Sequence, residues 1–202
     1  MVVSKDFFEK AKDETISNQA YTGIKKGKYL NPLLNLINPE NEIIDLSRRY
    51  IGNSEPCMLV RQMITVAAKN DYPVLILGES GTGKEVTARA IHEYSSRKEN
   101  SFIAINCGAI SQELFEPEIF GYKKGSFTGA VRDKKGLWEL ANGGTLFLDE
   151  IGDLLPGHQV KILKAIEDGM IYAVGSTEPL KTDVRIIAAT NKSIEDLYNE
   201  KK

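Results

Sequence analysis

The residue types that carry the clearest chemistry stand in one run: Gly78, Glu79, Ser80, Gly81, Thr82, Gly83, Lys84 and Glu85. Glycines at 78, 81 and 83 let the backbone curl until successive N–H groups converge, an arrangement that holds phosphate oxygens. A helix that starts at such a loop adds the partial positive charge of its N-terminus. Lys84 brings an ammonium that can reach the β- and γ-phosphates of a nucleotide. The position after that lysine is ordinarily Ser or Thr, whose hydroxyl ligates Mg2+. Here it is Glu85, and a carboxylate there either meets the metal through water or takes no part in binding it. The plainer alternative for the whole run is a glycine-rich turn between a strand and a helix.

A second run ends in two acids. Gly143, Gly144, Thr145, Leu146, Phe147, Leu148, Asp149 and Glu150 pass from glycine through apolar residues to paired carboxylates. An Asp-Glu after a strand often does no more than cap the next helix. With a phosphate loop about 65 residues upstream, the pair reads differently. Asp149 is placed to hold Mg2+ through water, and Glu150 to orient and polarise an attacking water. Phosphoryl transfer depends mostly on positioning and charge stabilisation, so these two roles suffice. Asn106, and Thr190 with Asn191, end two further apolar runs. They can cap turns or face the same crevice.

These residues need a scaffold that brings the ends of separate segments together. Residues 73–78 form a short apolar run that ends in glycine, as a buried strand does. Residues 102–106, 145–149 and 184–189 read as three more strands. Val60, Met63, Ile64 and Ala67 keep helical spacing, as do Thr87, Ala90, Ile91 and Tyr94, and again Ile162, Leu163 and Ile166. Strand and helix in alternation predict an α/β fold, a parallel sheet with helices on its faces. Ligands of such sheets bind beyond the carboxyl ends of the strands. Residues 172–182, with Gly175, Ser176 and Pro179, read as a hairpin. Residues 1–50 have another texture, rich in Lys, Asn and Glu, and read as a peripheral arm or linker with short helices. Residues 51–202 then form the domain.

Composition narrows the function classes. The chain has 202 residues, 42% hydrophobic and 27% charged, with a net charge of −2. Runs such as Ile103-Ala104-Ile105 are far shorter than the roughly 18 apolar residues that span a bilayer. Two cysteines, Cys57 and Cys107, and two histidines, His92 and His158, support neither a disulfide framework nor a zinc site. A reducing, cytoplasmic setting is expected. The near-neutral charge gives the whole chain no reason to bind nucleic acid non-specifically.

From about residue 50 onward the chain resembles the AAA+ central domain of sigma-54-dependent transcriptional activators, the bacterial enhancer-binding proteins. The resemblance rests on GESGTGKE (78–85), FIAINC (102–107), FGYKKGSFTGA (120–130), GGTLFLDEIGD (143–153) and DVRIIAATN (183–191). The first and fourth segments mark P-loop ATPases in general, and the third is close to diagnostic. The resemblance implies an AAA+ P-loop NTPase core with ATP and Mg2+ as cofactors. It makes Glu85 usual in the Walker A loop, and it assigns phosphates to Lys84, Mg2+ to Asp149 and water activation to Glu150. Asn106 looks like the asparagine that holds the catalytic glutamate until the nucleotide changes. Thr190 and Asn191 match the sensor I position. Ala141 and Asn142, continuing through Gly143–Glu150, match a second nucleotide-contacting segment.

The same resemblance gives the loop Gly125, Ser126, Phe127, Thr128, Gly129 and Ala130 a partner. It matches the family's GAFTGA loop, with Ser126 in place of Ala, and so implies contact with sigma-54 through Phe127 and Thr128. By its residues alone it is a flexible loop with one exposed aromatic. Lys123, Lys124, Arg132, Lys134 and Lys135 flank it, either as a solvated face or as a contact to promoter DNA. Residues 172–182 match a second loop that moves with the first. The implied partners are the sigma-54 RNA polymerase holoenzyme and further copies in a hexamer-like ring, with no membrane.

In the family an arginine-bearing segment, which reaches into a neighbour's site, and a helical lid follow the part that matches here. Arg89, Arg97 and Arg185 do not stand at the corresponding positions. The expectation is therefore the ATPase module of a sigma-54 activator without its lid, slow to hydrolyse ATP alone. The alternative is a non-hydrolysing nucleotide-binding or sigma-54-interaction module that regulates a complete activator. A generic AAA+ ATPase unrelated to transcription is opposed by the 125–130 loop.

Overall fold

The computed structural model describes residues 55–192, so the expected arm over residues 1–50 lies outside them. In chain order the elements are α1 (Glu55–Ala68), β1 (Val74–Leu77), α2 (Lys84–Glu93), β2 (Phe102–Asn106), a 3-10 turn (Cys107–Ala109), α3 (Gln112–Phe120), β3 (Gly121–Tyr122), β4 (Lys134–Lys135), α4 (Leu137–Leu140), β5 (Thr145–Asp149), a second 3-10 turn (Ile151–Asp153), α5 (Pro156–Asp168), β6 (Met170–Ile171), β7 (Leu180–Lys181) and β8 (Arg185–Thr190). Among the described residues no helix is long and apolar enough to cross a membrane.

The main sheet has the order β1-β8-β5-β2, and every neighbouring pair is parallel. All six residues of β8 are buried, as are the first four of β5, so the two central strands read as continuous apolar runs. Their side chains alternate between two cores. Phe147, Ile187 and Ala189 pack with Ile64 and Ala67 of α1 and with Ala88, Ala90 and Ile91 of α2. Leu146, Leu148, Ile186 and Ala188 face the other way, against Phe115, Ile119, Trp138, Ile162 and Ala165 of α3, α4 and α5. Burying a side chain the size of Leu, Ile or Phe contributes about 1.5–3 kcal/mol, so the two-sided packing of β5 and β8 fixes the middle of the sheet. The Trp138 indole also donates to Thr182 Oγ1 at 3.1 Å, which satisfies its one polar atom.

The expected strands are all present, with β1 one residue shorter at each end and β8 shifted by one residue. Two expected helix-face residues point elsewhere. Tyr94 is the C-cap of α2 and is 39% exposed, while Ala88 takes the buried position. Leu163 of α5 is 54% exposed, and Ala165 packs instead. The hairpin expected over residues 172–182 closes two residues earlier, where Met170 and Ile171 of β6 pair antiparallel with Lys181 and Leu180 of β7.

Two buried titratable groups test this packing. His92 is 5% exposed, and its Nδ1 lies 2.9 Å from Thr145 Oγ1 at the amino edge of β5. Burial holds its pKa below the ordinary 6.5, against the raising influence of a backbone hydrogen bond with Asn100. Below pH 6.5 the unfolded chain therefore takes up a proton that the folded one refuses. The stability contributed by neutral His92 is present in full above that pH and is lost as pH falls through the lowered folded value. The unfolding midpoint is expected to drop between about pH 7 and about pH 5, and His92→Gln is expected to flatten the drop. An unchanged slope in the variant would exclude His92 as the group.

Cys107 is 4% exposed, and its thiol pKa is pushed up to about 12 by burial, with the Asp149 and Asp153 carboxylates adding to the shift. Cys57 is only half-buried. Because the thiolate is the reactive form, a thiol reagent at about pH 8 should modify Cys57 in the native protein and reach Cys107 only in denaturant. Equal labelling of both in the folded state contradicts the burial.

Candidate functional site

Parallel register decides which residues can meet. Leu77 pairs with Thr190, and Asn106 with Asp149. The phosphate loop, the acidic pair and the two polar strand ends thus leave the sheet on the same edge. The Gly78 N–H donates to the Thr190 carbonyl at 3.2 Å, so the start of the loop is tied directly to the end of β8.

The phosphate loop takes the expected shape. Gly83 has φ 87 and serves as N-cap of α2 with no side-chain cap, leaving the helix N-terminus to be met by something else. Such a φ suits glycine and strains other residues. Thr82 Oγ1 donates to the Glu79 carbonyl at 2.8 Å and braces the loop from within. Lys84 is 7% exposed. Its ammonium donates to the carbonyls of Gly78 and Glu79 at 3.0 and 3.2 Å. It also lies 3.3 Å from Glu150 Oε1. Glu85 is engaged otherwise: its Oε1 receives Arg89 Nε and Nη2 at 3.0 and 2.8 Å, an exposed i,i+4 pair. The Arg89 guanidinium lies 4.8 Å from the Phe102 ring centroid.

Glu150 has φ 51 and ψ 45, the only positive φ outside glycine among the described residues. A left-handed conformation costs a non-glycine residue roughly 1–2 kcal/mol and is concentrated at functional sites. Two partners hold its carboxylate: Lys84 on Oε1, and the Asn191 N–H, which donates to Oε2 at 3.1 Å. Asp149 Oδ1 accepts from the Glu150 N–H at 3.0 Å. The turn that follows is fastened by Lys192, whose ammonium donates to the Gly152 carbonyl at 2.9 Å and pairs with Asp153 at 2.7 Å. Lys192 belongs to no motif, and only its place directly after Asn191 could have drawn attention to it.

Two expected side chains have local partners, and one expected segment lies away from the phosphate loop. Asn106 makes no hydrogen bond to Glu150 in this structure, and its Oδ1 caps the adjoining 3-10 turn, accepting from the N–H groups of Gly108 and Ala109 at 2.9 and 3.1 Å. Thr190 Oγ1 likewise caps locally, accepting from the Lys192 N–H at 3.1 Å, and it is the Asn191 backbone that reaches the site. The segment from Ala141 through Leu148 does not line the phosphate crevice. Ala141, Thr145, Leu146, Phe147 and Leu148 are core residues. Asn142, Gly143 and Gly144 sit at the opposite edge of the sheet, where Asn142 Oδ1 accepts from the Asp183 N–H. At about 3.3 Å per residue, the start of β5 is roughly 13 Å from its end, so only Asp149 and Glu150 of that run reach the carboxyl edge, where Glu150 meets Lys84. Arg97 and Arg185 also belong to the far edge. Arg97 pairs there with Asp71 and Asp183, and Arg185 donates to the Ala67 carbonyl.

A cavity of about 430 Å³ opens beside the phosphate loop. Apart from Gly78, Thr82 and Lys84 it is mainly apolar, with Val60, Met63 and Ile76 among its walls.

The 125–130 loop projects from the short β3–β4 pair, in which Tyr122 faces Lys134. The Gly125 N–H donates to the Ala130 carbonyl at 2.8 Å, and the Ala130 N–H to the Phe127 carbonyl at 3.0 Å. These bonds close a compact turn. Phe127 is 38% exposed and stands edge-on to Tyr122 at 4.9 Å, and Thr128 is exposed. The loop is tied to the 172–179 segment: the Lys123 N–H donates to the Val174 carbonyl, and the Val174 N–H to the Gly121 carbonyl. A β-carbon added at Gly175 would stand 2.6 Å from Ser126 Cβ. Lys123, Lys134 and Lys135 of the basic flank are paired with Asp133, Glu118 and Glu139.

Comparison with known proteins finds a matching family and several relatives. The model of the sigma-54 interaction domain matches residues 50–202. The response regulator protein PilR of Pseudomonas aeruginosa is 50% identical over 161 residues, which are 80% of this chain and 36% of that protein. A Nif-specific regulatory protein of Rhizobium etli is 48% identical over 145 residues, 72% of this chain and 25% of that protein. The chain thus spans about a quarter to a third of the length of these relatives. The crystal structure of NtrX from Brucella abortus matches with TM-score 0.69 at 32% identity, covering 93% of this chain and 40% of that one. NtrX in complex with ATP matches with TM-score 0.68 at the same identity, covering 94% and 38%. With the family model matching from residue 50 to the end, the chain belongs to the sigma-54 interaction domain family and has the AAA+ P-loop NTPase fold of sigma-54-dependent activators.

Proposed function

We propose that this protein binds and hydrolyses ATP as the motor unit of a sigma-54-dependent activator, and that the cycle remodels the closed complex of sigma-54 RNA polymerase at a promoter. The observation that carries the reading is the meeting of Lys84 and Glu150 at the carboxyl edge of the sheet, under a glycine loop that opens a helix. The backbone N–H groups of 78–83 and the Lys84 ammonium cradle the phosphates, and the apolar cavity between α1 and β1 takes the base. Asp149 and the phosphate oxygens form a hard-oxygen donor set that suits Mg2+, which would neutralise phosphate charge. Glu85 is held by Arg89, so the metal role of the usual Ser or Thr falls to Asp149. Glu150, once released from Lys84, orients the attacking water and accepts its proton.

Loop 125–130 is the contact to sigma-54. Phe127 and Thr128 stand at its exposed tip, and its base is bonded to the 172–179 segment that follows α5, the helix after the acidic pair. Several copies assemble as a ring around this contact. A promoter-DNA contact through 123–135 draws little support, since three of the five basic side chains there are already paired with acids.

Two substitutions separate the parts of the reading. Lys84→Ala is expected to weaken ATP binding at least about tenfold in a titration by calorimetry or fluorescent analogue, a difference of about 1.4 kcal/mol or more. Retained affinity would refute the phosphate-loop assignment. Thr128→Ala, tested in a complete activator that carries this domain, is expected to keep ATP binding and turnover while losing capture of sigma-54 in a pull-down. Undiminished capture would remove the loop from the interface. Full ATP binding with no turnover in an assembled ring would favour the non-hydrolysing regulatory module instead.

A further inference from the structure

We infer that Glu150 has a second role besides activating water: it is an internal competitor for the phosphate-binding lysine and so sets the affinity for nucleotide. The inference rests on the nucleotide reading above.

Lys84 is a buried ammonium, and the carbonyls of Gly78 and Glu79 satisfy its hydrogen bonds without neutralising its charge. A buried cation needs an anion as well, and the one it meets is Glu150 Oε1 at 3.3 Å. Both side chains are shielded, 7% and 16% exposed, so the attraction is only weakly screened by water.

The carboxylate is held in this place rather than passing through it. Its backbone is locked in a left-handed conformation. Its other oxygen accepts from the Asn191 N–H at the end of β8. The next turn is pinned by Lys192 through Gly152 and Asp153. The pair therefore joins the exits of β1, β5 and β8. A phosphate that enters the loop claims the same ammonium, and Glu150 must yield it. Nucleotide binding and the release of the catalytic carboxylate are then one exchange of anions on Lys84. Each phosphate ligand is bound more weakly than the loop alone would bind it, by the strength of the pair that it breaks.

The test measures binding of ADP, which reports on the exchange without turnover. Glu150→Gln removes the charge. Glu150→Asp keeps the charge but draws it back from Lys84 by one methylene, lengthening and weakening the pair. Both variants are expected to bind ADP roughly three- to tenfold more tightly than the parent, the range set by one partly buried ion pair. Tighter binding by Gln alone would mean general repulsion between a carboxylate and phosphate, and would overturn the proposal. So would unchanged or weaker ADP binding in both variants while the parent binds ADP and Lys84→Ala does not, an outcome that leaves the nucleotide reading standing. If the parent, both Glu150 variants and Lys84→Ala all fail to bind ADP or ATP, the nucleotide reading falls and takes the proposal with it. Circular dichroism melting of each variant shows whether it is folded under the conditions of the titration.

Discussion

Everything at the site depends on the parallel register of four strands. A parallel sheet sends all its carboxyl ends to one edge, and here the pairings Leu77 with Thr190 and Asn106 with Asp149 bring four separate exits into line. The register is held because β5 and β8 are packed on both faces. A slip of one residue would exchange Phe147 and Ile187 with Leu146 and Ile186, and each core would receive side chains shaped for the other. The charged groups at the carboxyl edge take their places from this alignment. They exploit it, and they tolerate strain such as the φ of Glu150 because the apolar packing of the strand behind them over-determines their place.

The same edge is where the electrostatics are concentrated. A buried ammonium at Lys84 lies 3.3 Å from the Glu150 carboxylate, Asp149 adds a second carboxylate on the adjoining residue, and the N-terminus of α2 adds a further positive end. At the opposite edge the charges are spent on structure. Arg97 binds Asp71 and Asp183, and Arg185 lies beneath the protein surface with its pKa lowered by burial. One edge thus has groups whose partners can be exchanged for a ligand. The other has groups whose partners are parts of the chain, which is why the two arginines nearest to it serve the sheet rather than a phosphate.

Much of the scaffold was legible because it is written in local pattern. The runs at 74–77, 102–106, 145–149 and 185–190 are apolar, short and bounded by glycine or polar residues, so strands and their exits follow directly. The phosphate loop was legible for the same reason. What escaped is what depends on contacts between distant segments. The Asn106 side-chain carbonyl oxygen accepts from the adjacent N–H groups of Gly108 and Ala109, which turns the side chain toward its own 3-10 turn. The segment from Ala141 to Leu148 is continuous in sequence with Asp149, but an extended strand carries its start to the far edge. The salt bridge between Lys84 and Glu150 joins residues on two strand exits, and no spacing rule predicts it. Glu85 with Arg89 is a counter-example: the i,i+4 spacing was there to be read, and it explains why a carboxylate sits in a phosphate loop without opposing the phosphate.

The contacts that leave the site run toward the 125–130 loop without a break. Lys192 holds Asp153, and Asp153 lies against the 3-10 turn at Gly108, where an added β-carbon would be 3.2 Å from its carboxylate. That turn leads into α3, and α3 into β3, from which the loop springs. On the other side the second 3-10 turn leads into α5, and α5 into the segment whose Val174 and Gly175 touch the loop. Contiguity alone does not make a signal path; that requires an element with two arrangements that both ends can bias. The proposed exchange of anions on Lys84 would supply such an element at one end, since Glu150 cannot stay paired with the lysine and also face a water. At the other end Gly175 packs against Ser126 so closely that an added β-carbon would stand 2.6 Å from the Ser126 Cβ. Ser126 lies at that contact, and its hydroxyl is buried without a hydrogen-bond partner. An unpaired polar atom there makes this loop contact costlier than a fully hydrogen-bonded one.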